Sequence, residues 1–187
     1  MRVNSLAPQL LLALLLASSV SCLAEQDKLA PLSAGSNLRV KSLIHNNGIE
    51  TDRIVSAEFA GTVTIVGKIR YGWVDSYSMN ELEMQLELDP SSETKMPRLA
   101  EWGKQFYYDD FVLDNPGAVA LRLFGRETLK RIHSREQQSA EVRAKLVLRK
   151  LGFGTDCGTH YGAEVDQVVS VEGTDLQIAG DWLDAHC

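Results

Sequence analysis

The sequence predicts a mainly β fold, a small five-stranded barrel with one short helix between its third and fourth strands and a long, partly helical connection. Three observations predict it. Apolar and polar residues alternate along several segments, as they do in strands that bury one face. A glycine interrupts the first long segment, where a barrel strand has to bend. The chain has 187 residues, of which 44% are hydrophobic, which suits one globular domain with a core.

The chain is expected to divide into a signal peptide at 1–24, a polar leader at 25–48 and a single barrel domain at 49–187. Within and after the leader, Leu38–Ile44 and Ile54–Phe59 have the composition of strands. They precede the segment that carries the clearest strand pattern.

The first 24 residues have the three parts of a secretory signal. Arg2 precedes the apolar run Leu10–Ala17, and small residues suited to cleavage follow it. This run is too short to cross a bilayer, which takes about 20 residues. We therefore expect a secreted, periplasmic protein. Cys22 lies in a lipobox-like sequence, and its lipidation is the alternative that would hold the chain at a membrane.

The segment Gly61–Gly72 predicts the first strand of the barrel. Gly67 lies in its middle, which indicates a bend, a bulge or the close approach of another backbone. Its buried face would consist of Val63, Ile65, Ile69 and Tyr71.

The second strand has the most regular alternation in the chain and is followed by the long connection. Its apolar positions are Leu82, Met84, Leu86 and Leu88, and the polar positions between them are Glu81, Glu83, Gln85 and Glu87. The connection Asp89–Pro116 is long enough to suggest a functional segment. Within it we expect a helix over Arg98–Phe106 and a short strand over Phe111–Leu113.

The second half of the domain predicts further strands around a helix. The expected elements are a strand at Ala118–Phe124, a helix at Glu127–Glu136, a strand at Ser139–Lys150 and a last barrel strand at Ala163–Val171. With the helix between the third and fourth strands, this order is that of the OB-fold. A different small barrel and a mixed sandwich with one helix are the alternatives.

The net charge argues against nucleic-acid binding, which is the function most often associated with the OB-fold. Removing residues 1–24 removes Arg2 and no acidic residue, so 18 basic residues face 25 acidic ones and the formal charge becomes −7. A surface of that sign repels phosphate backbones. Together with the export signal, it argues against a nucleic-acid partner.

Three segments resemble a group of small secreted bacterial proteins whose C-terminal, OB-like domain is of unknown function. They are Val63–Ile69, Asn80–Pro90 and Thr155–Val171. Members of that group tend to carry several adjacent histidines where this chain has Thr159, His160 and Tyr161. The resemblance implies a secreted OB-like domain and no particular activity.

The long connection and the glycine-rich turn near residue 157 carry the candidate binding residues. Five of the chain's aromatic residues lie between 102 and 111, and they would form either a binding platform or a small secondary core. The predicted binding residues are Trp102, Tyr107, Tyr108, Phe111, His160 and Tyr161.

The cysteines left after signal cleavage predict a disulfide. Cys157 and Cys187 would be oxidised to each other in an exported protein. A zinc site formed by this pair with His160 and His186 is the alternative, and it is disfavoured because His186 and Cys187 are adjacent. We expect no metal and no cofactor.

No catalytic constellation is evident. Asp109, Asp110 and Asp114 could bind calcium, and Asp109 could form an acid–base pair with Glu101, but neighbouring carboxylates are most often a solvated loop. Seven basic residues along the helix and the following strand are interpreted as another solvated face. They are Lys130, Arg131, Arg135, Arg143, Lys145, Arg149 and Lys150.

The sequence thus favours a non-enzymatic binding module whose partner is an envelope protein or a small ligand. One alternative is an inhibitor or immunity protein against a toxin or lytic enzyme, since an acidic domain complements basic targets. The other is an envelope hydrolase that uses carboxylates of the long connection.

Overall fold

The computed structural model describes residues 28–33, 36–47, 52–76, 79–100, 108, 110–155 and 158–177. The fold of these residues is mainly β, as predicted. The elements are, in order, β1 (Arg39–Asn47), β2 (Asp52–Ala60), β3 (Thr62–Ser76), β4 (Met79–Leu88), α1 (Pro90–Glu93), β5 (Asp110–Leu113), α2 (Pro116–His133), β6 (Ser139–Gly154) and β7 (His160–Gln177).

The strands form one seven-stranded sheet in the order β1-β2-β6-β3-β4-β5-β7, and β6 also pairs with β7. The pairings therefore lead from β3 through β4, β5, β7 and β6 back to β3. Every pair is antiparallel except β5 with β7, which is parallel. Among the described residues, a single pair, Gln85 and Val112, joins β4 to β5, so the sheet is not a cleanly closed barrel.

Strand β3 has the alternation that the sequence predicts. Its inward residues Val63, Ile65, Ile69 and Tyr71 are all buried. A Cβ atom on Gly67 would lie 2.5 Å from the carbonyl oxygen of Glu87. This glycine therefore permits the close approach of the β4 backbone, which is one of the roles expected for it.

The core lies between the inward faces of these strands and one side of α2. Strands β4 and β6 bury alternate residues, as predicted, and the short β5 contributes Phe111 and Leu113. The two strand-like segments before Gly61 form β1 and β2, and β2 pairs with the end of β6. The seven observed strands are therefore four of the five predicted barrel strands together with β1, β2 and β5, because the predicted strand at Ala118–Phe124 is helical.

The prediction of a strand at Ala118–Phe124 is wrong, because these residues form the first half of α2. Pro116 occupies the first turn, where its fixed φ suits a helix and its missing N–H costs nothing. Gly125, with φ 75° and ψ 165°, kinks the helix. The buried residues Val119, Ala120, Leu123 and Phe124 recur at helical rather than strand spacing.

The predicted helix at Glu127–Glu136 is the second half of α2 and ends at His133. Within the long connection, the structure adds α1, whose buried Ser92 accepts a hydrogen bond from the Val66 N–H at 2.7 Å. The short strand predicted at Phe111–Leu113 is β5. The helix expected over Arg98–Phe106 lies mostly outside the described residues.

Candidate functional site

The two segments that the sequence singles out for binding meet in the fold. The long connection ends in β5, and the glycine-rich turn ends where β7 begins. In the parallel pairing, Asp110 lies beside His160 and Phe111 beside Tyr161. Segments about fifty residues apart in sequence thus converge on one side of the sheet.

The aromatic side chains of this region form a row through the core. Ring centroids are separated by 6.2 Å for Phe59 and Phe153, by 5.5 Å for Phe153 and Tyr161, and by 5.5 Å for Tyr161 and Phe111. Tyr108 continues the row, 6.5 Å from Phe111. Phe111 and Tyr161 are only 1% and 2% exposed, so their rings form part of the core and not of an external platform.

Two tyrosine hydroxyls attach the long connection to the sheet. Tyr161 donates a 2.7 Å hydrogen bond to the carbonyl oxygen of Pro97, and Tyr108 accepts one of 3.1 Å from the Leu88 N–H. Burial raises the pKa of both phenols, so both stay protonated in the ordinary pH range. Their polar atoms thus have structural partners, which supports the secondary-core interpretation for these two residues.

The surface beside this row is acidic. We call Glu81, Glu83, Asp110 and His160 the acidic face. Glu83 points outward because the inward positions of β4 alternate with it. His160 Nδ1 lies 3.0 Å from Asp110 Oδ2, and both side chains are partly exposed. When Nδ1 carries the proton it donates to Asp110, which makes Nε2 the acceptor nitrogen of the ring.

Glu83 is a partly buried carboxylate on this face. Its pKa is raised above the ordinary value of 4.5, first by burial and also by the charges of Asp110 and Glu81, while a hydrogen bond from Gln85 acts in the opposite direction. No cationic side chain forms an ion pair with Glu83 within the described part of the chain. By contrast, the neighbouring Glu87 is paired with Lys68.

A face with these groups attracts positive charge. A basic side chain placed against Glu83 would favour its ionised form and offset the repulsion from Asp110. The Asp110–His160 pair alone does not make a catalytic site, because nucleophilic catalysis also needs an aligned nucleophile. Among the described residues no group of three or more His, Cys, Asp or Glu side chains could hold a metal ion.

No protein-family model, curated protein or solved structure matches this chain. The resemblance to the secreted bacterial proteins therefore stays a prediction. The site is interpreted from its own residues.

Several predicted site residues lie outside the described part of the chain. They are Cys22, Trp102, Tyr107, Cys157 and Cys187, and the carboxylates Glu101 and Asp109 join them. The disulfide, the lipid anchor and two members of the aromatic platform consequently stay predictions. No described helix is both long and apolar enough to span a membrane.

The sequence does not reveal that Glu83 belongs to the site or that Asp110 contacts His160. The strand alternation did place Glu83 on the outer face of β4, but outward glutamates on a regular strand are usually solvated. From sequence alone, Asp110 is expected in a solvated carboxylate loop. Its contact with His160 depends on the parallel register of β5 and β7, which no local pattern reveals.

Proposed function

We propose that the protein is a secreted, non-enzymatic binding module whose acidic face holds a basic partner protein in the cell envelope. Its strands β3–β7 would form an OB-like barrel, with β1 and β2 as an extension of the sheet. An inhibitor or immunity protein acting on a basic toxin or lytic enzyme is a specific form of this proposal.

The order of strand pairings supports the OB-like part. An OB barrel is a five-stranded Greek-key barrel, partly open, that binds ligands on the face of its second and third strands. Strands β4 and β5 hold those positions here, and α2 connects the third strand of the series to the fourth. The single residue pair between β4 and β5 suits a partly open barrel.

The observation that carries the binding proposal is the state of Glu83. This carboxylate is partly buried, has acidic neighbours and lacks a cationic partner among the described residues. Such an arrangement costs folding free energy, and a cationic ligand would recover part of that cost. In an OB-like barrel this face would belong to the usual ligand surface, and its negative charge would favour basic partners over nucleic acids.

The first experiment captures partners on immobilised residues 25–187 from envelope extracts and identifies them by mass spectrometry. We expect a stoichiometric protein with a basic contact surface. The double variant Glu81→Gln/Glu83→Gln should bind that protein about tenfold more weakly, since two attractive charges are removed. Titration calorimetry with the purified partner measures this change.

A matched control removes the same charge elsewhere. Glu127 and Glu136 are exposed on and just after α2, and the variant Glu127→Gln/Glu136→Gln has the same net charge as the test variant. Its affinity should stay within about twofold of the wild type. Equal weakening by both variants, or capture of only acidic proteins, would refute the proposed role of the acidic face.

The 3.0 Å contact between His160 Nδ1 and Asp110 Oδ2 favours one other function, an envelope hydrolase with His160 as a base oriented by Asp110. This hypothesis predicts a hydrolytic activity that His160→Gln and Asp110→Asn both abolish while the melting temperature is kept. The binding proposal predicts that peptidoglycan and ester substrates are turned over no faster by the wild type than by these variants.

A further inference from the structure

Helix α2 and the residue after it line a groove of about 540 Å³, and none of the lining residues belongs to the acidic face. It is lined by Leu121, Arg126, Leu129, Lys130, His133 and Ser134. Leu121 is 47% exposed, whereas the partly buried Leu129 also packs against the core. An apolar floor with a cationic rim is thus presented to solvent along one helix.

The kink at Gly125 lies in the chain between Leu121 and Arg126, two of the residues that line the groove. Its φ of 75° and ψ of 165° belong to a region that is essentially restricted to glycine. A Cβ atom placed on Gly125 would meet nothing within 4 Å, so packing does not explain the glycine. Its backbone conformation sets the angle between the half of α2 that carries Leu121 and the half that carries Arg126 and Lys130.

The cations of α2 differ from those of the sheet. On β6, Arg143 is paired with Asp89 and Glu172, and Arg149 with Glu164. Ion pairs thus neutralise part of the basic stripe that the sequence suggested. Arg126 and Lys130 have no carboxylate within ion-pair distance among the residues described here. In a chain of net charge −6, this helix is a local basic surface.

We propose that the groove on α2 binds an acidic, amphipathic helical segment of a partner protein. Arg126 and Lys130 are four residues apart, which corresponds to about 6 Å along the helix. Carboxylates one turn apart on a partner helix have the same spacing and could meet both cations. An apolar side chain between them would cover Leu121, as in other helix-in-groove complexes.

The apolar floor distinguishes this ligand from a free anion. Inorganic phosphate would use the two cations and leave Leu121 exposed to water. Covering an exposed leucine contributes about 25 cal/mol per Å² of apolar surface removed from water. A ligand that carries both acidic and apolar groups therefore fits the groove better than either group alone.

Fluorescence anisotropy tests whether Arg126 and Lys130 contribute to binding. The probe is a fluorescein-labelled helical peptide of alanine, leucine and glutamate, with glutamates one turn apart, titrated at low ionic strength. The variant Arg126→Glu/Lys130→Glu should bind it about tenfold more weakly or worse, because attraction becomes repulsion. Arg39→Glu/Lys145→Glu changes two exposed cations on the sheet, has the same net charge and should bind within about twofold of the wild type.

Further measurements test whether Leu121 contributes to binding and which kind of ligand the groove takes. Leu121→Ser should weaken peptide binding about threefold with an unchanged circular dichroism spectrum, since an exposed side chain is replaced. Equal affinity for a peptide with glutamine in place of glutamate would overturn the proposal, as would equal losses in the two charge-reversal variants. Tighter binding to phosphatidylglycerol vesicles than to the peptide would also overturn it and would assign the groove to a lipid surface. A dimer in sedimentation that Arg126→Glu/Lys130→Glu abolishes would overturn it too and would assign the groove to a second copy of the chain.

Discussion

The hydroxyl of Tyr161 donates a 2.7 Å hydrogen bond to the carbonyl oxygen of Pro97 inside the protein. Pro97 belongs to the long connection after β4, and Tyr161 is the second residue of β7. This bond therefore fixes a segment without regular structure to the strand that follows the glycine-rich turn. Both residues are buried.

We expect Tyr161→Phe to lower the free energy of unfolding by about 1 to 2 kcal/mol, because the ring still fills its site while the Pro97 carbonyl loses this buried donor. Urea denaturation measures the change. Tyr71→Phe is the control, since the Tyr71 hydroxyl bonds at 3.2 Å to the exposed His133, which water can solvate. An equal decrease in the free energy of unfolding for Tyr71→Phe would show that the hydrogen bond to Pro97 contributes no more than the exposed one.

Gly67→Ala should destabilise the fold by about 1 to 3 kcal/mol, since the new Cβ atom would press on the β4 backbone. Gly154→Ala is the matched control within the sheet. There the nearest atom to a new Cβ is the Val55 carbonyl oxygen at 3.8 Å, an ordinary contact. Thermal unfolding of the two variants compares them, and a similar melting temperature for both would contradict the role assigned to Gly67.

Phe111→Ala should lower the free energy of unfolding by about 3 to 5 kcal/mol, because it opens a cavity in the middle of the aromatic row. Leu121→Ala, at an exposed position on α2, should change it by less than about 0.5 kcal/mol. Chemical denaturation gives both values. A Phe111→Ala protein of unchanged stability would mean that the ring is available to a ligand after all.

Glu83→Gln should raise the stability at neutral pH. The folded state holds the Glu83 proton more tightly than the unfolded chain does, because the pKa of Glu83 is raised in the folded state. The free energy of unfolding therefore decreases as the pH rises from 4.5 through this raised pKa and Glu83 ionises. The gain should be roughly 0.5 kcal/mol above that range, allowing for solvent screening of a half-exposed group, and should vanish below it. Denaturation at several pH values tests this. Glu127→Gln is the control, and its stability relative to the wild type should not change over this pH range.

Binding of a basic partner should have the opposite pH dependence. As the pH falls through the raised pKa of Glu83, its carboxylate is neutralised and the affinity should decrease. The Glu83→Gln variant should lack this step while keeping the remaining affinity. Calorimetric titrations across the acidic range measure it, and an identical pH profile for the two proteins would exclude Glu83 as the responsive group.

The strands could be predicted wherever one face is buried. In β3, β4 and β6 the burial of alternate residues follows the sequence pattern. The segment at Ala118–Phe124 resembles a strand in sequence because Val119 and Leu121 alternate with smaller or charged residues. Its helical state is determined by Pro116 before it and by the burial of Leu123 and Phe124 together, which a strand could not achieve on one face.

The candidate site could be predicted only in part. The sequence pointed to the two segments around Tyr108 and His160, and the structure brings their ends together in β5 and β7. It could not reveal that Phe111 and Tyr161 are buried, because aromatic residues suit a core and a binding surface equally well. The contact of His160 with Asp110 needs a pairing between segments about fifty residues apart.

The parallel pairing of β5 with β7 also bears on how the protein folds. Strand β5 has four residues, and besides β7 its neighbour among the described strands is β4, through one residue pair. It gains most of its backbone partners only when residues 160–163 are in place. Contacts of such high sequence separation form slowly because a long loop must close first. A chain still being synthesised would therefore expose the edges of β4 and β6 until β7 emerges, so protection of these edges in the meantime should favour correct folding.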